Sequence, residues 1–374
     1  MKKILYITTL SRTINAFLVP HIHSLIDQGI KVDCACFIDK EIDSKLLERG
    51  VNVYNIPFSR NPLGLNNYQA FKILQKIQLE EKYDYIHVHT PIAGLYGRLL
   101  KLKFKNLKSI YTAHGFHFHK GGSKVGWILY YPIERLMAHF TDILITINDE
   151  DYKRALHFPV KKVFKVNGVG LNFSDYSVND LDKSNLRMKY NLKAGDFVIA
   201  MIAEINANKN HRQMIEAIHL LKQRNISVKV LCAGEGILFD KMGELIKEKG
   251  LESNIQLLGF TQNVKEVIAV SDIGVLLSYR EGLPRSVMEL MCCRKPVIGT
   301  DIRGNRDLIK HGKTGYLVPV NDAGQTANYI ERFVQNPQLV EKMGAASHEA
   351  MKDFSMETVL KQMSSIMEGT SIYE

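Results

Sequence analysis

Residues 275–300 read VLLSYREGLPRSVMELMCCRKPVIGT, the pattern of a strand, a loop, a helix and a second strand. An apolar run, Ile273–Leu277, ends at Ser278 and reads as a short buried strand. Tyr279, Arg280 and Glu281 follow, then Gly282-Leu283-Pro284. Proline suits the first helical turn, where its missing N–H would be unpaired anyway, so a helix is expected from near Pro284 to about Cys293, with Pro296 opening the next strand. Unpaired N–H groups at the start of such a helix attract phosphate or sugar oxygens, and Gly282 allows close backbone approach. Glu281 lies in the loop and Glu289 one to two turns inside the helix. Two carboxylates beside an anion site would repel a phosphate, so hydroxyls of ribose and sugar are their natural partners. The plain alternative is a loop charge and a solvent-facing helix residue.

Outward from this segment, apolar runs alternate with helix-length stretches. The first half offers Ile4–Thr8, Val32–Phe37, Asn52–Ile56, Tyr85–His89, Lys108–Ala113 and Ile143–Ile147, with helical periodicity over Phe17–Gln28 and Tyr68–Glu80. The pattern restarts with Phe197–Ala203, Val228–Ala233, Ile255–Leu258, Ile273–Leu277, Pro296–Gly299 and Tyr316–Val318. Such alternation predicts an α/β protein of two doubly wound, parallel-sheet, Rossmann-like domains. Turn residues over Asn167–Asp180 mark the join, giving an N-terminal domain over 1–170 and a C-terminal one over 171–354, with a helix over about 355–374 packing back on the first. In doubly wound sheets ligands bind beyond the carboxyl ends of the strands, and two such domains can face a central cleft.

At 374 residues, 45% hydrophobic and 24% charged, the composition is that of a globular protein. No apolar run approaches the roughly 18 residues of a membrane span. The opening MKKILYITTL reads as a first strand, since its apolar run is short and no cleavage site follows. Five cysteines without Cys-x-x-Cys give neither a disulfide framework nor a zinc site, which fits a reducing cytoplasm. The net charge of +10 is uneven: residues 1–180 hold 24 Lys and Arg against 16 Asp and Glu. Arg98, Lys101, Lys103, Lys105, Lys108, Lys120 and Lys124 fall where no acidic residue intervenes. Nucleic acid, an anionic membrane or a phosphorylated substrate would each suit that charge.

The segment EGLPRSVME, Glu281–Glu289, resembles the Glu-x7-Glu signature of retaining glycosyltransferases of family 4, which have the glycosyltransferase B fold. Other segments are similar in order and distance: AEINANKNH at Ala203–His211, TAHGFHF at Thr112–Phe118, Asn167-Gly168-Val169, and Lys313–Val318. The likeness covers nearly the whole chain and is nearest to bacterial capsule and exopolysaccharide enzymes. It implies a UDP-linked sugar as co-substrate and no cofactor, with Glu289 accepting from the ribose hydroxyls and Glu281 at the sugar beside the backbone of Gly282, Leu283 and Pro284. It implies that Lys209 neutralises the diphosphate, that Gly259 and Phe260 meet the base, and that His114 reaches the sugar from the N-terminal domain.

Two departures stand out. The family's arginine five residues before the lysine is here Glu204, leaving Arg280 or Arg285 as substitutes. The Gly-Gly pair of the first loop is replaced by Thr9–Asn15, where Arg12, Thr13 and Asn15 could face a phosphate or acceptor, as could His117 and His119 beside His114. Asp149-Glu150-Asp151 contains Asp-x-Asp, but acids at a helix start are expected from capping and the dipole, so no metal is expected. Gly234-Glu235-Gly236 lacks the third glycine of a dinucleotide fingerprint and reads as a turn. His87 and His89 share one side of a strand and read as local hydrogen bonding.

Basic and apolar residues interleave in LYGRLLKLKFKNLK, Leu95–Lys108, with Trp127, Tyr130 and Tyr131 beyond. Lysine stems on apolar surface and interfacial aromatics suit an anionic membrane surface, and this assigns residues 95–131 to such a contact. The resulting expectation is transfer of a hexosyl or N-acetylhexosaminyl unit from a UDP-sugar to a lipid-linked saccharide, at the inner face of the cytoplasmic membrane, without nucleic acid. A sugar-nucleotide epimerase of similar architecture is the alternative; a polyanion binder is disfavoured by carboxylates in the cleft.

Overall fold

A computed structural model describes residues 1–59, 61, 64–122, 124–178 and 180–369. Two compact units divide the chain, Met1–Gly170 with the segment from Met356 onward, and Leu171–Ser355.

The first unit carries a seven-stranded parallel sheet: β1 (Lys3–Leu10), β2 (Lys31–Phe37), β3 (Val53–Asn55), β4 (Tyr85–His89), β5 (Lys108–Ala113), β6 (Ile143–Thr146) and β7 (Lys162–Lys165), in the order β3-β2-β1-β4-β5-β6-β7. Every side chain of Ile4–Thr9 in β1 is buried, as a central strand covered on both faces requires. The sequence gives no sign of β7: Lys-Val-Phe-Lys offers only two apolar residues, both half-buried, on the sheet edge. Helix Leu65–Glu81 runs longer than the Tyr68–Glu80 expected, and Val19–Asp27 starts later than Phe17. The helix Met356–Glu368 belongs to this unit; residues 370–374 of the segment expected as helix lie outside the described residues.

The second unit has six parallel strands: β8 (Val198–Ile202), β9 (Lys229–Ala233), β10 (Ile255–Gly259), β11 (Ile273–Leu276), β12 (Val297–Thr300) and β13 (Gly315–Val318), ordered β10-β9-β8-β11-β12-β13. Helices cover both faces and close two apolar clusters, one around Met214, Ile218 and Phe333, the other around Val267, Leu290 and Met351. Both sheets reverse their strand order once, between β1 and β4 and between β8 and β11. At such a reversal successive connections leave to opposite faces and open a crevice at the strand ends.

Candidate active site

The loop after β8 and the loop after β11 flank the reversal in the second unit, and there Lys209 Nζ meets Glu281 Oε1 at 2.6 Å. The loops are joined by their backbones. Tyr279 N donates to Asn208 O at 2.8 Å, and Asn208 Nδ2 donates to Arg280 O at 3.1 Å. At the end of β12, Thr300 Oγ1 donates to Ser278 O at 2.6 Å, and beyond that strand the buried Arg303 donates through Nε to Glu281 O at 3.0 Å. Gly304 has φ +82°, and a Cβ there would stand 2.7 Å from Gly282 O. Residues 303–304 thus form a tight wall behind Glu281 and Gly282, which motif spacing alone did not disclose.

The helix after the loop spans Arg285–Cys292 and buries Val287, Met288, Leu290 and Met291. Leu290 packs so closely on β11 that a Cβ on Gly274 would be 2.4 Å from it. Glu289 lies on the other face with its side chain 12% exposed. Its Oε1 accepts from Tyr176 Oη at 2.6 Å and from Arg285 Nε at 3.0 Å. Burial, and then the Glu289 charge, raise the Tyr176 pKa, so the phenol stays protonated and donates. Tyr176 belongs to a 3₁₀ turn, Phe173–Tyr176, whose polar composition reads in sequence as linker. Arg285, one of two substitutes for the arginine absent at Glu204, is held on Glu289 and Tyr176. Glu204 itself is exposed, as is Arg280.

Gly259 closes β10 with φ +71° and accepts at its carbonyl from Gly234 N at 2.8 Å; Phe260 beside it is 66% exposed. Leu283 is partly exposed and Pro284 buried. The glycines of Gly234-Glu235-Gly236 serve packing. A Cβ on Gly234 would lie 2.1 Å from Ala203 O and one on Gly236 2.4 Å from Ile205 O.

In the first unit the reversal is marked by Thr9 and Thr90, whose hydroxyl oxygens are 2.7 Å apart. Thr90 has φ +67°, a conformation that β-branched residues rarely adopt. His114 follows β5, and its Nε2 lies 3.0 Å from His89 Nδ1. His87 Nε2 is 2.8 Å from Thr112 Oγ1, and His21 Nε2 donates to Val169 O at 2.8 Å. Burial first, and neighbouring histidines second, push His114 down to about 4, His87 to about 3 and His89 well below its usual value. All three rings are therefore neutral at pH 7. Asp151 accepts from Phe116 N at 3.0 Å and anchors the histidine loop.

Arg12, Asn15, His117 and His119 have local structural partners. Arg12 pairs with Asp39. Asn15 donates to Glu41 O at 2.7 Å and accepts from Asp43 N at 3.1 Å, bracing the loop after β2. Thr13 ends a short helical turn. His117 stacks on Tyr130 with centroids 4.7 Å apart, and His119 Nδ1 donates to Lys120 O at 3.1 Å. In the Asp-x-Asp segment, Asp149 pairs with Lys165 and Glu150 accepts from Lys120 N at 2.7 Å. Among the described residues no three His, Cys, Asp or Glu side chains gather as a metal-holding group.

In the basic segment Lys103, Lys105 and Lys108 are exposed, whereas two of its cations are taken up by the fold. Arg98 is 1% exposed, pairs with Glu134 at 2.9 Å and lies 4.1 Å over the Tyr111 ring, so it is part of the core. Lys101 is paired with Asp142. The exposed apolar side chains come later, with Val125, Ile128, Leu129, Ile133 and Leu136 on the surface near Lys124 and Arg135. Ser123 of this segment lies outside the described residues. No helix among the described residues is long and apolar enough to cross a membrane.

Comparison with known proteins agrees with this geometry. Residues 3–148 match the model for glycosyl transferase 4-like domains and residues 182–350 that for glycosyl transferases group 1. A Bacillus subtilis protein named as glycosyltransferase EpsD is 34% identical over 373 residues, spanning 98% of this chain and 96% of its own. The Escherichia coli UDP-Gal:alpha-D-GlcNAc-diphosphoundecaprenol alpha-1,3-galactosyltransferase is 27% identical, over 78% of this chain and 77% of its own. HepE of Anabaena, crystallised with UDP-glucose, shares the fold at a TM-score of 0.82 and 18% identity, covering 99% of this chain and 100% of its own. The chain therefore belongs to the family 4 glycosyltransferases of glycosyltransferase B fold, and is a hexosyltransferase of the capsule and exopolysaccharide type.

Proposed function

We propose that the enzyme transfers a hexosyl or N-acetylhexosaminyl unit, with retention, from a UDP-sugar to a lipid-linked saccharide. The observation carrying this reading is the pairing at the second reversal: Glu281 fixed by Lys209, and Glu289 fixed by Tyr176 and Arg285. Glu289 has a second carboxylate oxygen with which to accept from ribose hydroxyls. Glu281 and the backbone of Gly282–Pro284 orient the sugar, and Gly259 and Phe260 flank the base. His114, neutral and backed by His89, offers a hydrogen bond to the sugar.

Departure of the nucleoside diphosphate leaves an oxocarbenium-like sugar and develops negative charge on the leaving oxygen. Lys209 and the start of the Arg285–Cys292 helix meet that charge in place. Arg303, seated behind Glu281, contributes the guanidinium that position 204 lacks. The leaving phosphate oxygen takes the acceptor proton on the face where the new bond forms, so configuration is retained without a protein base. A trapped covalent adduct on Glu281 would contradict this route. No metal is required by it.

The lipid-linked acceptor is supported by relatives whose names specify diphosphoundecaprenol substrates. The apolar surface of Val125–Leu136 with its neighbouring cations suits peripheral attachment at the cytoplasmic face of the membrane. The named relatives give no support to an epimerase. A thermal-shift screen of sugar nucleotides tests the proposal: a ligand at about 100 times its Kd stabilises by about 2.7 kcal/mol, and Glu289→Gln should abolish the shift. Equal shifts in both proteins, or none with any UDP-sugar, would contradict it.

A further inference from the structure

Above the carboxyl end of β8 the second unit contains a cavity of about 1180 Å³, its open mouth included, between the loop after that strand and the starts of helices His211–Gln223 and Phe239–Glu248. Arg212, Lys241 and Arg280 line it, and no carboxylate among the described residues does. None of the three cationic side chains has an ion-pair partner among the described residues. Lys209, by contrast, is not in the wall; it is bound to Glu281.

The second observation is His211. It lines the same cavity, is only 3% exposed, and neither ring nitrogen has a hydrogen-bond partner. Burial, and then the Lys209 charge, push its pKa down to about 4, so the ring is neutral and carries one N–H. A buried donor without an acceptor is costly, and a structure that keeps one has a use for it or a ligand to fill it. His211 also opens a 13-residue helix whose N-cap residue, Asn210, makes no side-chain cap. The first-turn N–H groups are thus without a side-chain acceptor.

The charged side chains lining this cavity are all positive and its buried unpartnered ring is a donor, so the missing partner is an acceptor with negative charge. We propose that the cavity is a phosphate-binding site, separate from the Glu281–Glu289 site. The phosphate oxygens accept from His211 and the helix start, and Arg212, Lys241 and Arg280 neutralise the charge. Two sources share this chemistry: the diphosphate of a lipid-linked co-substrate, and free phosphate. Binding here does not depend on which sugar the enzyme transfers.

Calorimetric titration of the full chain with inorganic phosphate at low ionic strength tests the site. Wild type and Glu289→Gln should bind phosphate alike, while Lys241→Gln, an exposed position that leaves the core intact, and His211→Phe should each bind at least tenfold more weakly. Geranyl diphosphate distinguishes the sources. Displacement of phosphate at lower concentration than phosphate itself needs assigns the lipid-linked diphosphate, and weaker displacement assigns free phosphate; either keeps the site. Absence of phosphate binding in wild type, or unchanged affinity in Lys241→Gln, overturns it. So does displacement of phosphate by UDP that Glu289→Gln weakens in parallel.

Discussion

Gly304→Ala separates the geometry of the site from the stability of the fold. Gly304 holds φ +82°, and an alanine Cβ would lie 2.7 Å from Gly282 O, 3.0 Å from Gly282 C and 3.2 Å from Glu281 Cβ. Reaching ordinary contact, 3.4 Å, means a shift of about 0.7 Å between this loop and the Glu281–Gly282 peptide. The backbone conformation itself costs about 1–3 kcal/mol in a residue with a Cβ. A domain of this size loses about 2–4 °C of Tm per kcal/mol, so the variant should melt several degrees lower and remain folded at 25 °C. The effect on catalysis should be larger. Displacing positioned groups by about 1 Å costs on the order of 100-fold in rate. With a UDP-release assay under saturating acceptor, we expect kcat/KM to fall by about two orders of magnitude. A folded Gly304→Ala protein of wild-type activity would refute the role of the 303–304 wall.

Tyr176→Phe removes one hydrogen bond to a carboxylate, worth about 1.5–3 kcal/mol; donor KM should rise about 10- to 100-fold by initial-rate kinetics with kcat little changed. Lys209→Met should lower kcat about 100- to 1000-fold, the scale of losing one group that meets developing charge. On acidification, unfolded histidines protonate below about 6.5, before His87, His89 and His114 can in the fold. Stability present above that pH is therefore lost as pH falls toward 4, and thermal melts should show Tm dropping over this window, less steeply in a His87→Phe variant. Chelator should leave activity unchanged; loss restored by manganese would contradict the reading of Asp149-Glu150-Asp151 as helix-start acids.

Two largely buried interior strands, Tyr85–His89 and Lys108–Ala113, were legible in the sequence to the residue. The edge strand Lys162–Lys165 was not, because a strand with one exposed edge and two apolar side chains leaves no periodic mark. Arg98 shows the converse limit. Its charge suggested a surface, yet Glu134 lies 36 positions away and only the folded chain brings the two together. Glu281 and Glu289 were visible because their loop and helix are local. Tyr176, 113 positions from Glu289, and Arg303 were not, since nothing near them in the chain marks their partners.

The most direct test is a crystal structure of the full chain with UDP. We expect both ribose hydroxyls within hydrogen-bonding distance of Glu289 and the diphosphate between Lys209 and the start of the Arg285–Cys292 helix. UDP bound with its ribose away from Glu289, or in the cavity of Arg212 and Lys241 instead, would contradict the assignment of the donor site.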